Sequence, residues 1–296
     1  MQLVVLNTRA GGGRAARWRE RIGAWLHAHH PGVPLQPTES PLEARRALMA
    51  IPCGSRVVVV GGDGSVHHLL PELLAGGHEL ALVPAGSGND IARALGLHGL
   101  HWQRALAHAL TAKAHAADIA WVSTEFEERP FFSSLAAGFD AAVAQRALRS
   151  PRWLRGMPRY LLATLREVSA LRLASARVHV DDELLHDGAL LFASTLNTAS
   201  YGGGMQAVPA ARIDDGQLDV LLAGRFTRAA TLAMLPRLLL GAHLNHEQVR
   251  TRPFRQMLIE CERPLPLAAD GEPLRDAAQV VVRIAAHALP VVGRAA

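Results

Sequence analysis

Cysteine is nearly absent. Cys53 and Cys261 are the only two in 296 residues, they lie far apart, and neither has metal-type spacing. That argues against a disulfide framework and fits a reducing cytoplasm. Lysine is scarcer still: Lys113 stands alone, and every other strong base is arginine, for which a codon bias is the simplest account. A Walker-type P-loop requires Gly-Lys-Ser/Thr and is therefore excluded, so phosphate contacts must come from arginine or main-chain N–H groups. Long apolar runs are also missing. The most apolar late stretch, Thr231 to Leu244, is interrupted by Pro236 and Arg237 and falls short of the ~20 residues that cross a bilayer. The segment Met1 to Asn7 has no basic region and no small-residue cleavage site, so no signal peptide is read. These absences predict a chain that does not span a membrane. Aromatic residues make up 5% and the basic charge is spread along the chain, which disfavours a nucleic-acid binder.

What remains is an ordinary globular composition, 49% apolar with a net charge of +5, long enough for two domains. The first third alternates strand and helix patterns. Apolar runs at Leu3 to Leu6, Arg56 to Val60 and Glu79 to Val83 are each followed by glycines and a helical pattern, and Ser40-Pro41 reads as a helix start. Buried β-branched strands alternating with helices predict a parallel sheet in an α/β domain. From about Ala120 the texture changes. Strand-like pieces at Phe131 to Leu135, Arg177 to Val180, Ala189 to Thr195, Gln217 to Leu222, Met257 to Cys261 and Val280 to Ile284 are separated by turns. Turn signals include Asp187-Gly188, Asp215-Gly216 and Asp270-Gly271, and helical stretches fall at Leu154 to Leu171 and Thr227 to Leu240. The expected domains are 1–120, α/β, and 121–285, rich in β-structure, with the tail 286–296 packing back on the first.

Three glycine-bearing loops lie where a strand gives way to a helix: Asn7 to Gly13, Gly61 to Ser65, and Pro84 to Asp90. Ligands of open parallel sheets bind outside the carboxyl ends of the strands, where helix N-termini direct N–H groups at anions. Asp63 and Asp90 add carboxylates there, which would repel a phosphate unless a divalent cation intervenes, so a magnesium nucleotide is the natural ligand.

Gly61-Gly62-Asp63-Gly64-Ser65 resembles the GGDGT motif of the diacylglycerol kinase and sphingosine kinase catalytic domain, related more distantly to NAD kinases. Pro84-Ala85-Gly86-Ser87-Gly88-Asn89-Asp90 is similar to that family's P-x-G-T/S-x-N-D loop. The stretch Tyr201-Gly202-Gly203-Gly204 through Asp214-Asp215-Gly216-Gln217-Leu218-Asp219 resembles its GGG…DDG-x-L-D segment, and Asp270-Gly271-Glu272 its DGE segment. The four come in the family's order and span nearly the whole chain. The resemblance implies a Rossmann-like three-layer α/β nucleotide-binding domain, a C-terminal β-sandwich-like domain, and an active site in the cleft between them. It also implies ATP-dependent phosphorylation of a lipid hydroxyl. Asn7, Thr38, Gly62 to Ser65 and Ser87 would contact ATP, in a site that also takes in Gly61, Asn89 and Asp90. Glu272 would act as general base with Asp270 beside it. A structural Mg²⁺ would sit on the Asp215 carboxylate and the carbonyls of Arg212 and Gln217.

The chemistry is reasonable on its own terms, because phosphoryl transfer needs an in-line hydroxyl, neutralised phosphate charge and a carboxylate to take the proton. Without the resemblance, Asp270-Gly271 reads as a plain hairpin turn. The sequence departs from the family's pattern at Ser65, where threonine is usual, and at His67-His68, where Asn-Glu is usual. Arg146, Arg149, Arg152, Arg155 and Arg159 recur among Leu148, Trp153, Leu154, Met157 and Tyr160, a pattern suited to an anionic membrane surface or to a solvated basic face. Expected, then, is a cytoplasmic enzyme of lipid metabolism, peripheral on the inner face of the membrane. A NAD kinase-like enzyme and a non-catalytic nucleotide- or lipid-binding protein remain as competing readings.

Overall fold

The computed structural model describes residues 1–150, 157–239 and 241–294. The chain divides into two compact units, Met1–Ile119 with Ala286–Ala296, and Ala120–Ala285.

The first unit is built on β1 (Gln2–Asn7), β2 (Leu35–Thr38), β3 (Arg56–Gly61) and β4 (Glu79–Pro84), hydrogen-bonded in the order β2-β1-β3-β4. Val291 and Val292, near the end of the chain, continue the sheet beside β4, and every pairing is parallel. Val57 to Val60 are buried on both faces of β3, as a central parallel strand requires. Val4, Leu6, Val58 and Val60 pack against the helices Arg19–His29 and Trp102–Thr111 through Ile22, Leu26 and Leu106. The helices Pro41–Met49 and Asp63–Ala75 lie on the other face. Ser40 starts its helix as the sequence predicts: its hydroxyl accepts from the Glu43 amide (3.3 Å) and the Glu43 carboxylate reaches back to the Glu39 amide (2.8 Å). The chain leaves β1 toward one side of the sheet and β3 lies on the other. The carboxyl ends of β1 and β3 therefore form a topological switch point.

The second unit is antiparallel. Its strands are β5 (His115–Thr124), which begins in the first unit, β6 (Glu128–Phe131), β7 (Ser134–Ala137), β8 (Ala174–Val180), β9 (Glu183–Leu190) and β10 (Phe192–Leu196). They continue with β11 (Ser200–Tyr201), β12 (Met205–Gln206), β13 (Leu218–Ala223), β14 (Val249–Phe254), β15 (Gln256–Ala269) and β16 (Glu272–Val292). The strand order β14-β13-β10-β7-β15-β16 carries β8 and β9 on the first part of β15, while β11 and β12 form a separate small hairpin. Val178 and Val180, Val220 and Leu222, Met257 and Ile259, and Val280 and Val282 share one core, the period-two pattern of a half-buried strand. Helices Phe139–Leu148, Met157–Ser169 and Arg228–Leu239 complete the unit. Arg152, Trp153, Leu154 and Arg155 lie outside the described residues.

Some sequence expectations are corrected. The helices Trp102–Thr111 and Phe139–Leu148 and strands β2, β5 and β14 add to the elements expected from the sequence. The run Phe131 to Leu135 is not one strand, because the chain breaks between β6 and β7 at Phe132 and Ser133. Asp187-Gly188 is not a turn: it lies inside β9 opposite Arg177 and Ala176. The turn is Asp181-Asp182, with φ of 48° and 67° and Val180 facing Glu183. Aspartate tolerates left-handed backbone, and here Asp181 Oδ1 accepts from the amides of Arg255 and Gln256 at 2.9 Å each. Asp182 is held in the same left-handed region, φ 67°. Asp182→Gly is expected to stabilise the chain by ~0.5–1 kcal/mol, read as a higher midpoint in a thermal melt.

Candidate active site

The three loops of the first unit are tied to one another. Asn7, the last residue of β1, donates its side-chain amide to Ser65 Oγ (2.8 Å) and accepts from the Arg9 amide (3.0 Å). The Gly62 amide approaches the same Ser65 hydroxyl at 3.4 Å. Asp63 opens the helix after β3, and its two carboxylate oxygens accept from the amides of Asp90 (3.1 Å) and Ile91 (3.0 Å), at the start of the short helix after β4. A β-carbon built on Gly62 would lie 2.7 Å from Gly86 Cα, and one on Gly86 would lie 2.6 Å from Gly62 Cα. The two loops thus pack backbone on backbone, an approach only glycine permits.

The other residues predicted for this site are placed as follows. Gly61 carries the seat of the Ser65 side chain, since a β-carbon there would fall 2.4 Å from Ser65 Oγ. Gly64 lies in the first turn of the helix Asp63–Ala75 and Ser87 is exposed at the crest of its loop. Asn89 adopts left-handed backbone (φ 57°) and donates to the Gly86 carbonyl (3.0 Å). Asp90 is buried and paired with Arg93 at 3.2 Å. Thr38 is buried, with its hydroxyl 3.4 Å from the Leu6 carbonyl. Thr8, which the sequence did not single out, directs both its amide and its hydroxyl to the Thr38 carbonyl at 3.0 Å. His67 and His68 follow on the helix with their rings edge to face. These strand-end loops and the N-terminus of the helix Asp63–Ala75 gather main-chain amides at one edge of the sheet, an arrangement suited to an anion.

In the second unit, Asp270 and Gly271 form the two-residue connection between β15 and β16, with φ of 50° and 84° and Ala269 facing Glu272. That is the primed turn which Asp-Gly favours. The Asp270 carboxylate accepts from the amides of Phe132 (3.0 Å), Ser133 (2.6 Å) and Ser134 (3.2 Å), while its own amide donates to the Ser134 carbonyl (2.8 Å). This is why the strand breaks at Phe132-Ser133: those amides serve a carboxylate instead of a neighbouring strand. Asn197, fully buried, braces the segment by donating to the Phe132 carbonyl (2.7 Å), and the Ser133 and Thr198 hydroxyls are 2.8 Å apart. No sequence signal pointed to Asn197, Ser133 or Thr198. Glu272, half-buried, follows directly as the first residue of β16.

Two further carboxylate groups stand out. Asp140, at the start of the helix Phe139–Leu148, accepts from the Ser194 hydroxyl and the Ala141 amide, and burial pushes its carboxyl up to about 6. Burial, and then the charge of Asp140, push the Tyr201 phenol above its ordinary value. In the turn before β13, Asp215 accepts from the Gln217 amide (3.0 Å), Asp214 pairs with Arg212 (3.2 Å), and burial followed by the Asp215 charge raises the Asp219 carboxyl. No cluster of three or more His, Cys, Asp or Glu suited to a metal is found among the described residues.

A parallel sheet with nucleotide-type loops and an antiparallel unit with a turn carboxylate suit a kinase, and similarity to known proteins shows that class, a phosphotransferase with an alcohol acceptor. The diacylglycerol kinase catalytic domain matches residues 1–122, and the YegS C-terminal NAD kinase beta sandwich-like domain matches residues 133–293. The chain is 35% identical over 219 residues to a diacylglycerol kinase of Mycobacterium tuberculosis, spanning 73% of this chain and 70% of that one. It is 29% identical over 284 residues to a YegS-like lipid kinase of Stenotrophomonas maltophilia, spanning 92% and 89%. A crystal structure of a diacylglycerol kinase from Bacillus anthracis shares the fold, with a TM-score of 0.72 at 16% identity over 99% of this chain and 96% of that one. The chain belongs to the diacylglycerol kinase catalytic domain family and carries the YegS-type C-terminal domain.

The close contact of the two glycine loops makes Gly86→Ala destabilising by ~1–3 kcal/mol, measurable by denaturant unfolding. Asp140 yields a pH signature. The folded chain holds this proton up to about pH 6, whereas the unfolded chain releases it near ~4. The folded state therefore binds more protons in that window, and stability falls as pH rises through it. Asp140→Asn is expected to flatten this part of the curve of melting temperature against pH.

Proposed function

We propose that the chain transfers the γ-phosphoryl group of ATP to a free hydroxyl of a diacylglycerol-like lipid, with magnesium. The observation that carries this reading is the interlocking of the loops after β1, β3 and β4 at the carboxyl ends of adjacent parallel strands. Loops so tied present main-chain amides in a fixed array, which suits a triphosphate in a chain without a P-loop lysine. Asn7, Gly61, Gly62, Gly64, Ser65, Ser87 and Asn89 line or shape this array. Thr38, Asp63 and Asp90 act chiefly by holding it, because each already serves a main-chain group or an arginine.

Glu272 takes the role of general base toward the lipid hydroxyl. Asp270 positions it, since at least three main-chain amides occupy the Asp270 carboxylate and fix the turn. The Asp215 carboxylate and the carbonyls of Arg212 and Gln217 would hold a structural magnesium ion. All are hard oxygen donors, and a cation there would offset the Asp215 charge, which after burial is the second cause of the raised Asp219 carboxyl. Magnesium on the nucleotide would neutralise phosphate charge during transfer.

A second reading, phosphorylation of NAD, draws on the NAD kinase-like sandwich of the second unit. No described helix is long and apolar enough to cross a membrane, which is compatible with a cytoplasmic enzyme that meets its lipid at the inner membrane face.

Incubation of the protein with Mg²⁺, γ-labelled ATP, a panel of hydroxyl-bearing lipids in mixed micelles, and NAD tests both readings together. Label on a lipid supports the proposal and names the acceptor; label on NAD alone overturns it in favour of the second. In the same assay Glu272→Gln is expected to lower kcat by at least ~10²-fold while ATP affinity stays within about twofold. Full turnover in that variant would remove Glu272 from the mechanism.

A further inference from the structure

We infer that Thr198 is a positioning residue for the turn that carries Glu272 and couples that turn to the glycine hairpin 200–206, an inference that rests on the base role given to Glu272 above. The run Tyr201-Gly202-Gly203-Gly204 forms the hairpin of β11 and β12, with Ser200 facing Gln206 and Tyr201 facing Met205. Its stem is anchored where Tyr201 packs against Leu196, Ala207 and Leu221. A continuous chain of hydrogen bonds leads from this stem to the Asp270 turn. The Thr198 hydroxyl donates to the carbonyl of Ser200, the first residue of β11 (2.8 Å). That uses its one proton, so the Ser133 hydroxyl, 2.8 Å away, donates to Thr198. The Ser133 amide in turn donates to the Asp270 carboxylate (2.6 Å), two positions before Glu272. Asn197 secures the same segment, its amide donating to the Ser133 carbonyl (2.8 Å) and its side chain to the Phe132 carbonyl (2.7 Å).

Packing alone does not call for this chain of bonds. Thr198 and Ser133 are 1% and 3% exposed, and valine with alanine would fill the same space. Exchanging both members of a buried hydroxyl pair for apolar groups of the same shape is close to neutral for stability. What the hydroxyls add is direction, because a satisfied buried polar network specifies one arrangement of the segments it joins. A general base requires that, since misplacing it by ~1 Å costs on the order of 10²-fold in rate. Thr195, on β10, supplies the contrast. It is fully buried, yet its hydroxyl makes no hydrogen bond among the described residues.

The test uses the full chain. Thr198→Val removes the hydroxyl at constant shape, Thr198→Ser keeps it, and Thr195→Val removes a buried hydroxyl that lies outside the chain of bonds. Hydrogen exchange needs no substrate: the amides of 132–134 and 270–272 are expected to exchange at least ~10-fold faster in Thr198→Val and at wild-type rates in the other two. With γ-labelled ATP and dioctanoylglycerol in mixed micelles, Thr198→Val is expected to lower kcat ~10-fold while KM for ATP stays within about twofold. Thr198→Ser should recover most of that loss, and Thr195→Val should match the wild type. Added to Glu272→Gln, Thr198→Val should cost nothing further, because it acts through the residue already lost. Unchanged exchange or unchanged kcat in Thr198→Val overturns the inference. So does a further ~10-fold loss in the Glu272→Gln background, which a general defect of the fold would give. No transfer by the wild type to any lipid of the panel, or full turnover in Glu272→Gln, overturns the base role instead, and the exchange rates then decide the coupling on their own.

Discussion

A buried aspartate carboxylate gripped by main-chain amides organises much of the second unit. Burying such a group costs several kcal/mol unless its oxygens are satisfied, and Asp270 finds three donors in Phe132, Ser133 and Ser134. The consequences spread outward. Taking those amides ends β6 and starts β7 after a two-residue break, and the freed Phe132 carbonyl is claimed by Asn197. The same grip holds the left-handed turn that begins β16 with Glu272. Asp63 plays the corresponding part in the first unit, where its carboxylate ties the helix after β3 to the start of the helix after β4.

In both units the motif aspartate therefore acts on the backbone. This gives the loops a rigidity that their glycines would otherwise forfeit, because each glycine adds conformational freedom to the unfolded chain. Gly62 and Gly86 offset that cost by letting two loops meet at backbone distance. The array has little help from basic side chains. Arg93 is committed to the Gly88 carbonyl and Asp90, and Arg14 donates to the Gly11 carbonyl at 3.1 Å. A phosphate meeting this surface would be held mainly by amide dipoles whose positions are set before it arrives, the condition for electrostatic preorganisation.

Other features run against stability. Asp140 keeps a carboxyl where burial disfavours its charge, and the outer helices of the second unit leave leucines in water. Local violations of this kind concentrate where a protein meets a ligand or a partner, because the complex supplies what the free chain lacks. The two units distribute the work: the first is regular, with alternating strands and helices, and the second carries the irregular polar seam and the apolar outer face.

Much of the fold was legible in the sequence because its signals are local. Consecutive valines buried on two faces announce a parallel strand, Ser40-Pro41-Leu42-Glu43 announces a capped helix, and Asp270-Gly271 announces a primed turn. The order of the four motifs identified the family, since each is a short run of neighbouring residues. Where the sequence misled, the deciding partner was distant. Asp187-Gly188 carries a turn's residues but is paired with β8, and the actual turn at Asp181-Asp182 relies on amides more than seventy positions away. Asn197, Ser133 and Thr198 carry no mark of their role, which exists only because folding brings them beneath Asp270. By itself the sequence determined the alternation of elements, the glycine loops and the family. The tertiary structure alone decided which carboxylates spend their oxygens on the backbone and which apolar side chains are left facing water, because hydrogen-bond satisfaction and burial depend on neighbours that chain order does not name.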